Sequence, residues 1–400
     1  EEIVKKGIDK KAILAGINYM EFRFREADYA SYPKGLMYGL DVFDSWLYDE
    51  NAPFLHIEEL GVYDYLRKQL ETDYFEQLIQ KYFLDNTHNA LVRVVPEIGL
   101  TGKREQALKE KLQAYKESLS REEIEKLVTD TKHLQEYQEE PSSQEDLEKI
   151  PMLTREDISR EIAPIYNEEM KIADIPTVFH EIETNGIGYL DLMFDLSDVP
   201  EKDLPMVGLL QAVLGIIDTE HYEYGELFNE INRHTGGIGT SLELYPDVTK
   251  VKEKEFRATF EIKGKALYGQ IPFAIRMMKE ILTASKLDDE KRLKEILSMT
   301  KTRLQDRFLS AGHSAAALRA MSYKSPISKF KDTTNGIEYY QNIREMEEHF
   351  DEKKEEIISG LKALSELLFR KGNVMISYTA SREGLAVLEE EIGSLKEVLY

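Results

Sequence analysis

The sequence predicts an α+β fold: helices covering one face of a mostly antiparallel sheet, preceded by a mostly helical region and a helical hairpin linker. Two observations predict the sheet and its layer. Short runs such as Thr177–Glu183 and Ile187–Leu196 alternate apolar and polar residues, the period of a half-buried strand. Over residues 151–400 the strand runs come as two pairs and a last single strand, in the order ββα, α, ββ, αα, βα, and not as alternating single strands and helices, which favours antiparallel pairing. A third observation sets the preceding region apart: residues 1–85 and 103–138 carry apolar residues at helical spacing among dense charge.

Residues 1–85 read mostly as helix. Ile13, Ile17, Met20 and Phe24 recur at helical spacing before a break at Tyr32-Pro33. Leu36, Leu40, Phe43 and Leu47 form a second stripe, and Leu60, Leu66, Leu70, Phe75, Leu78 and Phe83 continue beyond the breaker Asn51-Ala52-Pro53. Asn86-Thr87-His88-Asn89 is turn chemistry, and Ala90–Val95 reads as a strand closed by Pro96. One strand cannot stand alone, so its sheet is expected elsewhere. Leu108, Leu112, Tyr115 and Leu119, then Ile124, Leu127, Val128 and Leu134, form two stripes expected to pack face to face as a helical hairpin. Ser120 and Glu123 fit a capping box at the start of the second helix. Glu139 to Gln144 reads as linker.

Residues 151–400 form the better-defined domain. Asn185-Gly186 between two alternating runs predicts a β-hairpin. Leu204–Ile217 is apolar nearly all round and is expected to be buried. Leu227 and Ile231 lie on a helix stopped at Thr235-Gly236-Gly237, followed by strands at Thr240–Tyr245 and Glu255–Lys263. Helices over 268–285 and 289–309, further helical segments to Phe369, a strand at Asn373–Thr379 and a helix over 381–397 complete the chain.

Composition bounds the function. A chain of 400 residues, 42% hydrophobic, holds about two or three domains. The net charge of −23 weighs against nucleic acid and anionic membranes as partners. The absence of Cys removes disulfides, thiolate metal sites and cysteine nucleophiles. No run approaches the ~18 apolar residues of a membrane span, and no targeting peptide is visible, so a soluble, cytoplasmic protein is expected. An opening at Glu1-Glu2 without Met hints at an excised piece.

Three constellations bear on chemistry. His56–Leu60 and His133–Tyr137 each match H-x-x-E-H except at the second His, and a catalytic zinc needs both imidazoles on one helical face. His180-Glu181-Ile182-Glu183 lies on a strand and reads as structural. His234-Thr235-Gly236-Gly237-Ile238-Gly239-Thr240 has the order helix, turn, strand, the reverse of a phosphate loop, so the glycines read as a helix stop. Ser310-Ala311-Gly312-His313-Ser314 and Ala315-Ala316-Ala317 are too local for a hydrolase triad and read as small residues permitting close packing. The expected catalytic, cofactor-binding and metal-binding residues are therefore none.

The order of motifs resembles a known family. Tyr82 to His88, the following strand, charged hairpin and Pro/Ser linker, then Arg233 to Ile238, Lys301 to Arg307 leading into Ser310 to Arg319, and Gly372 to Ala380 together resemble the presequence protease, or falcilysin-like, branch of the pitrilysin (insulinase) zinc metallopeptidases. The resemblance implies four homologous α+β domains in two halves that close as a clamshell on a peptide chamber. It implies zinc on H-x-x-E-H in the first domain and an Arg/Tyr pair in the fourth. It places this chain as the end of domain two (1–100, the C-terminal part of a homologous α+β domain), the charged hairpin and linker (101–150), and a degenerate domain three (151–400), with no zinc in the fragment and zinc in the full-length parent. The degenerate zinc motif would fall near Leu209-Leu210-Gln211-Ala212-Val213, and Arg319 with Tyr323 are too close in sequence to be the Arg/Tyr pair. The expected partners are the missing N- and C-terminal domains and peptide substrates. The expected function is a non-catalytic segment of a zinc metalloendopeptidase, lining the chamber and the hinge. The alternative is a stand-alone peptide-binding or assembly module.

Overall fold

The computed structural model describes residues 1–161, 164–250 and 255–400. These fall into two compact units, one formed by residues 1–85 with 165–400 and the other by residues 86–164.

The larger unit opens with five α-helices, α1 (Glu2–Lys6), α2 (Lys10–Glu26), α3 (Lys34–Trp46), α4 (Leu60–Gln69) and α5 (Tyr74–Ile79), the last continued by a π-helical turn over Gln80–Leu84. Asp9 starts α2 by accepting from the amides of Lys11 and Ala12. Ile17, Tyr63 and Leu70 form a small core between α2 and α4. The stripe on α3 is left uncovered: Leu36, Leu40 and Phe43 are about half exposed.

The smaller unit carries α6 (Leu100–Ser118), α7 (Arg121–Glu139) and α8 (Gln144–Glu148). The capping box is formed: Glu123 N–H donates to Ser120 Oγ at 3.3 Å, and Ser120 N–H donates to Glu123 Oε2 at 2.8 Å. The face-to-face packing expected of the two stripes is not formed. Leu108, Leu112 and Tyr115 on α6 and Leu127, Val128 and Leu134 on α7 are all about half exposed; only Leu119 and Ile124, at the turn, are partly covered. Ala90–Val95 forms no strand either. Leu91 and Val94 are almost fully exposed, and without a neighbouring ladder an extended run has nothing to pair with.

The rest of the larger unit is built on one six-stranded sheet. Its elements, in chain order, are β1 (Glu168–Ile172), β2 (Ile175–Glu181), β3 (Ile187–Asp195), α9 (Leu204–Val213), α10 (Tyr224–His234), β4 (Ile238–Pro246), β5 (Phe256–Leu267), α11 (Ile271–Thr283), α12 (Glu290–Ser310), α13 (Gly312–Ser322), α14 (Pro326–Asn335), α15 (Ile337–Glu348), α16 (Phe350–Leu368), β6 (Val374–Ala380), α17 (Arg382–Glu391) and α18 (Leu395–Val398). The order across the sheet is β1-β2-β6-β3-β5-β4. Every pairing is antiparallel except β2 with β6, so the fold is the expected α+β with a mostly antiparallel sheet.

The hairpin expected across Asn185-Gly186 is corrected by this topology. Both residues have positive φ, and Ile187 N–H donates to Thr184 O, so the turn is there. Its two flanking strands are nevertheless not neighbours, because β6 lies between them. The true two-residue hairpin joins β1 to β2 through Ala173-Asp174, both at positive φ, an uncommon conformation for residues with a Cβ.

Register divides the sheet into two faces. Phe179, Tyr378, Leu192, Ile376, Phe194 and Phe260 stand on one face, all fully buried under α9, α11, α12, α16 and their neighbours. Asp191, Lys263, Glu261, Ser241 and Ser377 stand on the other, matched across strands by the pairs Asp191–Lys263, Asp191–Ser377 and Glu261–Ser241. One face is the core and the other is polar, as the alternation requires.

Candidate functional site

Strand β4 ends the sheet, so one side of its backbone has no ladder. Two adjoining cavities, of about 570 and 700 Å3, lie among β4, α9, α12 and α14, sharing Gln211, Arg307, Thr334 and Asn335 in their walls. Leu242 and Leu244 of β4 face Ala311, Ser314 and Ala315 across the first. The run Ser310–Ala317 therefore does not close on a packed neighbour as expected. Its small side chains leave the space that forms the cavity.

Helix α9 sets the floor. Leu209, Leu210 and Val213 are fully buried, leaving Gln211 as the polar side chain turned toward the opening. Gln211 is held by β4: its carbonyl accepts from Thr240 Oγ1 at 3.0 Å, and its Nε2 donates to Thr240 O at 3.4 Å. Gly208 lets Tyr339 approach, its missing Cβ leaving room for the ring edge. Tyr339 is 3% exposed and lines the second cavity, and its hydroxyl has no hydrogen-bond partner. Burial pushes that phenol well above its ordinary pKa, against the pull of Arg303.

Among the described residues, Arg303 and Arg307 are the only charged ones lining the second cavity. They stand four apart on α12, hence on one face. Among the described residues neither guanidinium has an ion pair. Arg307 donates from Nη1 to Asn335 Oδ1 at 3.0 Å and from Nη2 to the Asn335 carbonyl, closing the end of α14. Burial, with Arg303 beside it, lowers the pKa of Arg307.

The polar sheet face holds the second concentration of charge. Lys263 Nζ lies 2.8 Å from Glu243 Oε1 and 3.0 Å from Glu261 Oε2. Fully buried Glu261 also accepts from Tyr245 Oη at 2.7 Å and Thr259 Oγ1 at 2.6 Å. Burial raises the Asp191 carboxyl to about 6, Lys263 pulls it down, and Glu261 and Glu243 add to the rise. At the margin of this face, Glu26 of α2 accepts from Lys265 Nζ at 2.7 Å and from Tyr189 Oη at 3.1 Å.

The remaining residues singled out in the sequence are scattered. His56 stands 3.6 Å from Glu59, and His133 is exposed on α7. His180 is a clamp between strands, its Nδ1 2.7 Å from Asn167 Oδ1 and its Nε2 3.2 Å from Ser377 Oγ. His234 packs on Phe273 with ring centroids 4.4 Å apart. Thr235 ends α10 as the helix-stop reading expects, and Gly236 makes room for Phe22, whose ring a Cβ there would strike. Ser310 donates to the Arg307 carbonyl, not to a histidine. Arg319 lies over the Tyr323 ring and is tied to Asp332 and Glu338, a structural anchorage. Sequence reasoning missed Gln211, Arg303, Arg307 and Tyr339 as a group. The i, i+4 arginines of α12 were its one visible sign.

The family model described as peptidase M16 (subfamily C) associated matches residues 94–346. The chain belongs to this family. This peptidase-associated chain is 38% identical over 392 residues to Protein HypA of Clostridium perfringens, covering 98% of itself and 40% of that protein. It is 26% identical over 403 residues to Presequence protease 1, chloroplastic/mitochondrial, of Arabidopsis thaliana, covering 100% of itself and 37% of that protein. It is 25% identical over 399 residues to the mitochondrial presequence protease of Mus musculus, covering 98% of itself and 37% of that protein. The chain thus spans about two fifths of the length of these curated relatives.

The family likeness raises zinc, and the residues present do not fit it between Leu209 and Val213, where the sequence resemblance would put the motif. Between Leu209 and Val213 the one polar side chain is an amide already engaged with Thr240. Among the described residues no three His, Asp or Glu gather as a metal-binding group. No helix among them is long and apolar enough to cross a membrane.

Proposed function

We propose that this chain is a non-catalytic segment of a zinc metalloendopeptidase that degrades short unstructured peptides. In this reading residues 1–100 are the C-terminal part of one peptidase-like domain, 101–150 form the charged hairpin between clamshell halves, and 151–400 are an inactive copy of the catalytic domain. The observation that carries it is the alignment of 98–100% of the chain with presequence proteases more than twice its length. Two features support it. Apolar stripes on α3, α6 and α7 lie open, and uncovered faces of that kind mark surfaces built to meet another chain or domain. Helix α9 presents leucine and valine where the resemblance would put the ligands of a catalytic copy, and burying a divalent ion among them costs several kcal/mol with no compensating charge. Zinc would then be held by flanking sequence, supplying a polarised water, while this chain shapes the wall.

The test compares the chain alone with the chain rejoined to its flanking sequence, on an unstructured peptide of a few tens of residues. Cleavage only in the rejoined protein, reduced when 101–150 is replaced by a flexible linker, is the expected result. Cleavage by the chain alone, or indifference to that replacement, counts against the catalytic or the hinge part of the reading respectively.

A further inference from the structure

The second cavity is out of character with its surroundings. The chain has 75 acidic and 52 basic residues, an acidic excess that is absent from the lining of this recess of about 700 Å3. Its only charged lining residues, among those described, are instead Arg303 and Arg307. Arg307 has a structural task at the end of α14, and Arg303 has neither a hydrogen bond nor an ion pair among the described residues. Behind them stands the Tyr339 hydroxyl, a buried donor with no acceptor. A buried donor left unmatched is a desolvation cost that an entering acceptor relieves. Gln211 and Asn335 add amide groups on the same rim.

We propose that this cleft binds a carboxylate of a peptide, gripped by Arg303 and Arg307 with Tyr339 donating from beneath. The guanidinium fork matches a planar carboxylate in two parallel hydrogen bonds. The open side of β4 runs along the same cleft, which gives the peptide main chain something to lie against. The carboxylate is either the C-terminus or an acidic side chain; both present the same group. The inference rests on the peptide-chamber reading above for its choice of a peptide, and not for the existence of an anion site.

The experiment measures fluorescence anisotropy of three labelled decapeptides with this chain: one with a free C-terminus and no acidic side chain, its C-terminal amide, and the amide with one internal Glu. The free acid is expected to bind about tenfold or more tighter than the neutral amide, the size of a charge-assisted contact. The Glu-containing amide shows whether a side chain serves as well as a terminus. Arg303→Gln should abolish the difference without lowering thermal stability, since Arg303 makes no hydrogen bond or ion pair among the described residues. Tyr339→Phe should weaken the acid selectively while leaving the melt unchanged or raised. Arg303→Lys should retain part of the preference. Equal binding of acid and amide, or a preference that survives Arg303→Gln, overturns the inference. A rejoined protein that cleaves peptides normally while Arg303→Gln leaves carboxylate preference intact would sink the site alone. Intact carboxylate binding by this chain, with no cleavage by the rejoined protein, would sink the chamber reading alone.

Discussion

Tyr339 rests on Gly208: a Cβ added to Gly208 would lie 2.8 Å from Tyr339 Cε2 and 2.5 Å from the Thr334 carbonyl oxygen. One of those neighbours is backbone and cannot swing away. Gly208→Ala should therefore force α9 away from α14 and cost about 1–3 kcal/mol, the range for overpacking, measured by chemical denaturation. Gly215→Ala is the control. It has positive φ but open space around it, so its cost should be about 1 kcal/mol and purely conformational. Equal costs at the two sites would show that the Tyr339 contact is slack.

Asp191 predicts a pH dependence with a definite sign. Its folded pKa, about 6, lies above its ordinary 3.8, so the native state holds the proton more tightly than the unfolded chain. The favourable contribution is full below pH 3.8 and is lost as pH rises through 6. Asp191→Asn should remove that fall and leave the protein about 1–2 kcal/mol more stable than the parent at pH 7.5, after discounting for partial solvent access. Urea midpoints from pH 4 to 8 check it, and parallel curves for the two proteins would contradict it.

Asp332 is fully buried, ion-paired to Arg319 at 2.5 Å, and accepts the Ile337 amide at 3.0 Å. Removing it leaves the Ile337 amide without that acceptor and Arg319 with Glu338 as its remaining ion-pair partner. Asp332→Ala should cost about 2–4 kcal/mol, less than a fully buried pair because Arg319 is partly wet. Asp332→Asn, which still accepts from Ile337, should cost less. Differential scanning calorimetry of both variants decides between an ion-pair and a hydrogen-bond role.

The open stripes of α6 and α7 give the opposite expectation. Leu112 is 56% exposed, so Leu112→Ala should change the stability of this chain by no more than about 0.5 kcal/mol. In the protein rejoined to its flanking sequence the same substitution should cost more, because the stripe would be covered. Hydrogen exchange of α6 in the two forms reads this directly, and equal protection would show that nothing covers it.

What was legible in the sequence were the local signals. Alternation placed β3, β4, β5 and β6, helical spacing placed α2, α10 and α12, and Ser120/Glu123 announced the start of α7. What was not legible was pairing. Nothing in Asn185-Gly186 reveals that β6, about 190 residues downstream, will slip between the strands it joins, and Ala173-Asp174 carries no turn signature although it makes the real hairpin. Exposure failed for a related reason. The stripes on α3, α6 and α7 and the strand expected at Ala90–Val95 are patterned for burial, but patterning states a preference and does not supply the partner. The cleft was invisible because its residues, Gln211, Arg303 and Tyr339, come from three helices and acquire meaning only from Gly208 and the end of β4.

The central claim, that this chain is a peptidase-family segment without its own catalytic centre, is tested most directly by one paired measurement: zinc per chain by elemental analysis after exhaustive dialysis, with cleavage of an unstructured peptide followed on the same sample. The account predicts zinc far below one per chain and no cleavage, with both restored when flanking sequence is rejoined. Zinc near one per chain, together with cleavage that a chelator stops, would contradict it.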